Sequence, residues 1–465
     1  MKPFKYSGVW WLPSKKKKVS GEVTYTRDTP TKLVLHGIFE RDINLEGQGS
    51  LGWYSIILGL TEDGQAITLV NCQVTHFNLS FGDKREVEQE CMADIALIGT
   101  HFPDPQHILF SKVDVYYSYL PQWAGIFPYR GYQGTFDEVR ASTAKGIIIV
   151  QPVKRDWSEL VKEADLPETV RIRFEVQRAL PLQEWMTQFG APLQNFISLA
   201  TQRPNALSNM VVYVKQIDQS NSDIPEIPVQ VAFAPAVNPI PTNKSTVPET
   251  ILFSLQEIAH DFSNVIDNWL TMANELKSVH ELFFGVQYTK LYLDLQFLLI
   301  SQAIEVYQDN RFDKTTLPEE EFQSLMDKLL AACPEERKDW LKDALAHSNN
   351  ATYRQQLKNI VKKTLPILGP LLGKNSKMRE TFVEVAYNTR NFLTHHTKEL
   401  APHAANGAEL LYITRCLSLA LQVCLMKDLG WTEQRLIEML RKHEDYKVIP
   451  AVQTQIHLEK LTIHS

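Results

Sequence analysis

Two hydrophobic periods divide this chain. From Gly8 to about Val237 apolar residues recur at every second position, as a half-buried strand requires; past the prolines that follow they recur every three or four, as one face of a helix requires. Val23 and Tyr25, then Leu33 and Leu35, and most cleanly Val170, Ile172, Phe174 and Val176, alternate with polar, charged or small residues. The apolar run 53–58 leads into Glu62-Asp63-Gly64 and on to a second run at 67–70, which predicts a hairpin whose turn uses Gly64 for its positive φ. Further strands are expected over 93–99, 112–117, 146–151 and 210–217, with one helix over 182–200. Many short strands with few helices predict a β-rich sandwich or barrel-like domain.

Pro225, Pro228, Pro235, Pro239, Pro241 and Pro248 crowd the segment 223–248. Each lacks a backbone donor and fixes φ, so helix and central strand are not expected there, and at most one edge strand over 229–233. The expected organisation is a β-rich domain over 1–222, a proline-rich linker over 223–248 and an all-α domain over 249–465. In the last of these, Leu255, Ile258, Phe262, Val265, Trp269, Met272, Leu276, Val279 and Phe283 make one stripe, read as a single long helix. A helix over 289–308 follows. Pro318 and Pro334 each open another, and one over 350–363 is expected to end at Pro366, Gly369 and Pro370. Helices starting near Ser376, over 408–426, and after an N-cap Thr432 complete a bundle of about seven. The fold class is therefore α+β, a β-rich domain followed by an all-α bundle.

Composition changes this picture little. The chain has 465 residues and a formal charge of −6, so it carries no overall basic excess, and any surface for nucleic acid must be local. Its five cysteines are scattered without C-x-x-C spacing, which speaks against a zinc ribbon or a disulfide framework and for a reduced, cytoplasmic setting. The first residues lack the apolar core of a signal peptide, and the apolar segment 410–426 is interrupted by Arg415, Ser418 and Gln422, as in a buried helix rather than a membrane span. In the first half His36, His76, His101 and His107 share no metal-ligand spacing, and Lys15 to Lys18 fits a solvated turn better than a phosphate contact. Trp10, Trp11, Trp53, Trp123 and Trp157 fit core positions better than a recognition surface. No P-loop, dinucleotide fingerprint or nucleophile-base pair is present there, so that half reads as a binding or regulatory domain.

The chemistry concentrates in Tyr387-Asn388-Thr389-Arg390-Asn391-Phe392-Leu393-Thr394-His395-His396, with Arg390, Asn391 and His395 as its candidate residues. On a helix Asn391 and His395 share a face, with Arg390 about 100° round from Asn391. A guanidinium can hold a phosphate through two parallel hydrogen bonds and offset charge that builds in a transition state. An imidazole can take a proton from a ribose 2′-OH or give one to a leaving oxygen. The same residues also suit a solvated face at a helix C-terminus, where positive charge is favoured. A metal site at His395, His396 and His403 is the poorest reading, because no carboxylate or cysteine stands in register.

Arg390-Asn391 followed by His395 resembles the Arg-polar-spacer-His motif of the HEPN superfamily. Leu299, Gln302, Ala303 and Glu305 resemble the upstream helix of ApeA-like HEPN proteins. The N-terminal Gly8-Val9-Trp10-Trp11-Leu12-Pro13, with Gly21 and Leu33-Val34-Leu35-His36-Gly37, is similar to the β-rich domain that precedes HEPN in ApeA. The resemblance implies an antiphage abortive-infection effector in the cytoplasm. Its helical domain would be a metal-independent, cofactor-free endoribonuclease that cleaves cellular RNA, tRNA included, by 2′-OH attack. It implies a homodimer or higher homo-oligomer with a composite site, activated through the N-terminal domain by a phage-derived signal. Carried onto this chain, Arg390 and His395 become the catalytic pair and Asn391 their polar companion. Glu305 either braces Arg390 or is a surface carboxylate, and His396 has no counterpart. The competing expectation is a non-catalytic sensor or adaptor whose helical domain only dimerises.

Overall fold

The computed structural model describes residues 1–27, 29–39, 52–81, 85–127, 136–153, 169–215, 226–235, 250–313 and 315–455. They form two compact units, one of Met1–Pro248 with Phe253–Asp267, the other of Glu249–Leu252 with Asn268–Ser465. By packing, residues 253–267 therefore group with the strands and not with the helices that follow them in sequence.

The first unit is a β-barrel with an added sheet. Strands β1 (Phe4–Trp11), β2 (Lys18–Tyr25), β3 (Thr31–Leu35), β4 (Trp53–Thr61), β5 (Ala66–Phe81) and β6 (Arg85–Ile98) run in the order β3-β2-β1-β4-β5-β6, all antiparallel. The barrel closes where Thr31 to Leu35 of β3 pair with Ala93 to Gln89 of β6. Alternation gives the inward face, with Val19, Val23, Leu33, Leu35, Leu69, Val74 and Cys91 all buried in one core. Trp10 also points inward, and its register partner on β4 is Gly59; a Cβ there would overlap the indole. Gly59→Ala should accordingly cost about 1–3 kcal/mol by overpacking, read as a lower urea midpoint. The expected hairpin between β4 and β5 turns at Gly64 with φ of 78°.

Past Ala93, β6 stays paired with β5 but changes its partner on the other side. Ile95 to Ile98 pair with β12 (Glu226–Phe233), and the sheet continues through β11 (Leu207–Lys215), β7 (Leu109–Tyr117), β10 (Val170–Pro181), β9 (Gly146–Pro152) and β8 (Val139–Thr143). β12 corrects the expectation of an edge strand in the proline-rich segment, because it has a partner on each side. Pro228 is tolerated through stagger. It lies opposite Tyr213 on β11 but outside the ladder to β6, which begins at Gln230. The rest of the expected linker, apart from residues 226–235, lies outside the described residues.

One face of this added sheet is covered by the expected helix. It runs as α2 (Leu182–Trp185), a π-helical turn (Met186–Gly190) and α3 (Ala191–Thr201). Trp185 donates its indole N–H to the Phe110 carbonyl at 2.9 Å, and Phe174 packs against Trp185 and Phe189. Trp123, on the short α1 (Leu120–Trp123), is core as expected, as is Trp10, whereas Trp53 is exposed and Trp157 lies outside the described residues. The opposite face of the sheet carries Asp114, fully buried, with Arg173 bound to both carboxylate oxygens at 2.7 and 2.8 Å and Tyr213 donating to it at 2.7 Å.

Beyond the strands the expected single long helix is three pieces, α4 (Leu255–Ile258), α5 (Phe262–Glu275) and α6 (Lys277–Tyr288). A 3-10 turn (Ala259–Asp261) separates the first two, and Leu276, with φ −106° and ψ 34°, breaks the second from the third. Every residue of the stripe is buried all the same, so the apolar spacing reported burial correctly and continuity wrongly. The helical unit, which takes up the chain at Asn268 within α5, goes on with α7 (Leu293–Arg311), α8 (Glu319–Ala332), α9 (Lys338–Leu345), α10 (Tyr353–Leu372), α11 (Ser376–His395), α12 (Gly407–Asp428), α13 (Glu433–Leu440) and α14 (Glu444–Gln455). α10 runs through Pro366 and Pro370, where an end was expected. Both prolines are exposed and one turn apart, so the carbonyls they leave unpaired face water, and the helix stops only at Gly373, with φ of 134°. Thr432 caps α13 as expected, while α14 was not foreseen. Among the described residues one helix, α12, is long and apolar enough to cross a membrane, but most of it is buried against α7, α10 and α14.

Two buried histidines in this unit make its stability pH-dependent. Burial pushes His280 and His443 down to about 4. His443 accepts the Asp445 N–H on Nδ1, so its Nε2 carries the proton and faces Gln422 Oε1 at 3.1 Å. Below an ordinary histidine pKa near 6.5 the unfolded chain binds protons that the native state refuses. Stability should be level above that pH and fall between about 6.5 and 4, by about 1.4 kcal/mol per histidine for each pH unit. Denaturant midpoints at pH 7.5, 6 and 5 check this, and His443→Gln should flatten part of the slope.

Candidate active site

Helix α11 is entered through Asn375, whose side chain accepts the Met378 N–H at 2.9 Å. Phe382, Val383, Ala386 and Thr389, spaced by helical turns, bury one face and set the rotation of the helix. Thr389 locks it further, giving its hydroxyl proton to the Val385 carbonyl at 2.6 Å and accepting the Ala405 N–H at 2.9 Å. With that face turned inward, Tyr387, Arg390 and Asn391 are left half-buried beside it.

Those three residues line a pocket of about 500 Å³ together with Glu305 and Asp309 of α7 and the first turn of α10. Arg390 Nη2 is 3.0 Å from Glu305 Oε1, and the guanidinium sits 5.7 Å from the centre of the Tyr353 ring. The ion pair is close but not aligned: Glu305 Oε1 is buried without a well-directed hydrogen bond. Arg390 reaches Asn391 Oδ1 only at 3.5 Å. The guanidinium is thus held in place while several of its five donors have no partner among the described residues. Burial raises the Glu305 carboxyl, the adjacent Arg390 opposes that, and Asp309 adds to it. α10 begins at the same pocket, capped by Thr352, so its positive end and Arg390 both favour an anion there.

The carboxylate of Glu305 therefore meets Arg390, and Asn391 joins them in the pocket. His395 and His396 are placed differently. His395 is the last residue of α11 and exposed, and neither histidine lines the pocket. His396 is the C-cap in the left-handed region, with φ of 51°; its N–H returns to the Phe392 carbonyl at 2.7 Å and its ring meets the Phe392 ring edge-on. Among the described residues no three His, Cys, Asp or Glu side chains come together as a metal centre would need. Reading the sequence missed Tyr353, Gln356 and Tyr387 as pocket residues. Only Tyr387 carried a signal, since it precedes Arg390 and Asn391 by three and four positions and so shares their side of the helix.

Two family models match the chain. ApeA N-terminal domain 1 matches residues 5–269, more than half of the sequence, and Apea-like HEPN matches residues 298–435, which contain Glu305 and the whole stretch from Arg390 to His396. No curated protein and no solved structure matches it.

Proposed function

The chain belongs to the ApeA-like HEPN family, and from that premise we propose that it is an antiphage abortive-infection effector whose helical unit is a metal-independent endoribonuclease. HEPN domains are generally ribonucleases, and the observation that carries the reading is the half-buried guanidinium of Arg390, held against Glu305 with donors to spare at the positive end of α10. Arg390 grips the scissile phosphate and offsets the charge that develops on it. His395 moves the proton, from the attacking 2′-OH or onto the departing 5′ oxygen. Bond making at phosphorus and loss of the 5′ oxygen leave a 2′,3′-cyclic phosphate and a 5′-OH. Asn391 orients the phosphate or ribose, Glu305 positions Arg390, and His396 supports the end of the helix.

His395 lies one helical turn, roughly 6 Å, beyond Asn391 and faces solvent. One copy therefore offers an Arg-Asn-Glu pocket with its histidine at the rim, which favours a homodimer or higher homo-oligomer that completes the site from two copies. The β-rich unit senses a phage-derived activator, and the substrate is cellular RNA, tRNA among it, in the cytoplasm.

Cells expressing the full chain, the Arg390→Ala form or the His395→Ala form, infected and then assayed for intact RNA and for phage yield, test the proposal. RNA should fragment and phage yield fall only with the unchanged chain. Full protection by both variants would point instead to a non-catalytic adaptor.

A further inference from the structure

Tyr387 is fixed in a way that packing alone does not require. The Arg354 guanidinium lies over its ring, 4.5 Å from the centre, and is itself held by Glu384 at 2.7 Å. The ring is half-buried and borders the pocket, and its hydroxyl has no partner among the described residues. An aromatic ring held by a guanidinium on one side, next to a phosphate-binding arginine, is the arrangement single-stranded RNA uses for stacking a base. The same pocket, besides the donors of Arg390 and Asn391, carries two side-chain acceptors. Gln356 gives its amide N–H to Asp309 Oδ1 at 3.0 Å, which leaves Gln356 Oε1 and Asp309 Oδ2 without donors among the described residues. Two adjacent acceptors match the exocyclic amino group of cytosine, adenine or guanine, whereas uracil sets its O4 against one of them and has only its N3–H to offer.

We infer that this pocket is a nucleobase subsite, with Tyr387 as its stacking surface and Gln356 and Asp309 as the edge that selects bases bearing an exocyclic amino group. It rests on the ribonuclease reading above and adds a base preference to it. The base next to the scissile phosphate enters beside Arg390, stacks on Tyr387, and donates its amino protons to the far wall. Cytosine and uracil isolate that preference, since they share ring size and differ at this edge.

The test uses the full-length protein and fluorescein-labelled 2′-fluoro oligocytidine and oligouridine, which lack the attacking hydroxyl, with binding read by anisotropy. Oligocytidine should bind about two- to tenfold more tightly than oligouridine. Tyr387→Ala should weaken oligocytidine binding by about tenfold or more, and Tyr387→Phe should stay within about twofold of the unchanged chain, because stacking needs the ring and not the hydroxyl. Gln356→Leu should erase the preference for cytidine. Equal affinity for the two probes overturns the edge assignment. Unchanged binding in Tyr387→Ala, with binding lost in Arg390→Ala, overturns the subsite and leaves the nuclease reading standing. Binding that neither change weakens overturns both.

Discussion

Arg390→Ala is expected to lower the rate of RNA cleavage by about 10²–10³-fold without loss of fold, the effect of removing a preorganised donor from developing charge. The guanidinium is preorganised from two sides, by Glu305 at 3.0 Å and by the Tyr353 ring at 5.7 Å, so little rearrangement is needed when a phosphate arrives. Arg390→Lys should restore little, since an ammonium is a point charge that cannot present a fork to two phosphate oxygens. Glu305→Gln should fall between them, because it keeps a hydrogen-bonding partner for Arg390 but removes the charge. Single-turnover rates on a defined RNA separate the three, and Arg390→Lys matching the unchanged chain would contradict the bidentate role.

Asp114→Ala should destabilise the β-rich unit by about 3–5 kcal/mol, the cost of removing one partner from a buried ionic cluster. Its carboxylate is wholly buried and receives Arg173 twice, Arg171 at 3.0 Å and Tyr213 at 2.7 Å. Burial and the hydrogen bond to Asp114 push the Tyr213 phenol up to about 12, and hydrogen bonding to Asp114 raises Arg173 further above its ordinary range. Without the carboxylate, the Arg171 and Arg173 guanidinium groups, two positions apart on the same face of β10, are left side by side with no charge between them. Asp114→Asn should cost less, since it keeps an acceptor. Urea unfolding followed by tryptophan fluorescence gives the difference directly.

Local patterns made the elements legible but not the closure of the barrel. β6 reads as an ordinary strand, yet one half pairs with β3 and the other with β12, and nothing in its own alternation marks the switch. The proline rule failed in two places, because Pro228 lies beyond the ladder that would need its N–H, and the carbonyls that Pro366 and Pro370 leave unpaired belong to exposed residues one turn earlier. The apolar stripe from Leu255 to Phe283 kept its spacing across two breaks, so periodicity alone could not locate them. In the site, Arg390, Asn391 and Glu305 were legible because motif and upstream helix both point to them. Tyr353 and Gln356 were not, because their approach depends on how α10 packs between α7 and α11.

The most direct measurement is the chemistry of the RNA ends produced by the purified, activated protein in EDTA. Fragments with 2′,3′-cyclic phosphate and 5′-OH termini should form with the unchanged chain and be absent with Arg390→Ala and with His395→Ala. Fragments with 3′-OH and 5′-phosphate termini, or cleavage that survives either substitution, would contradict it.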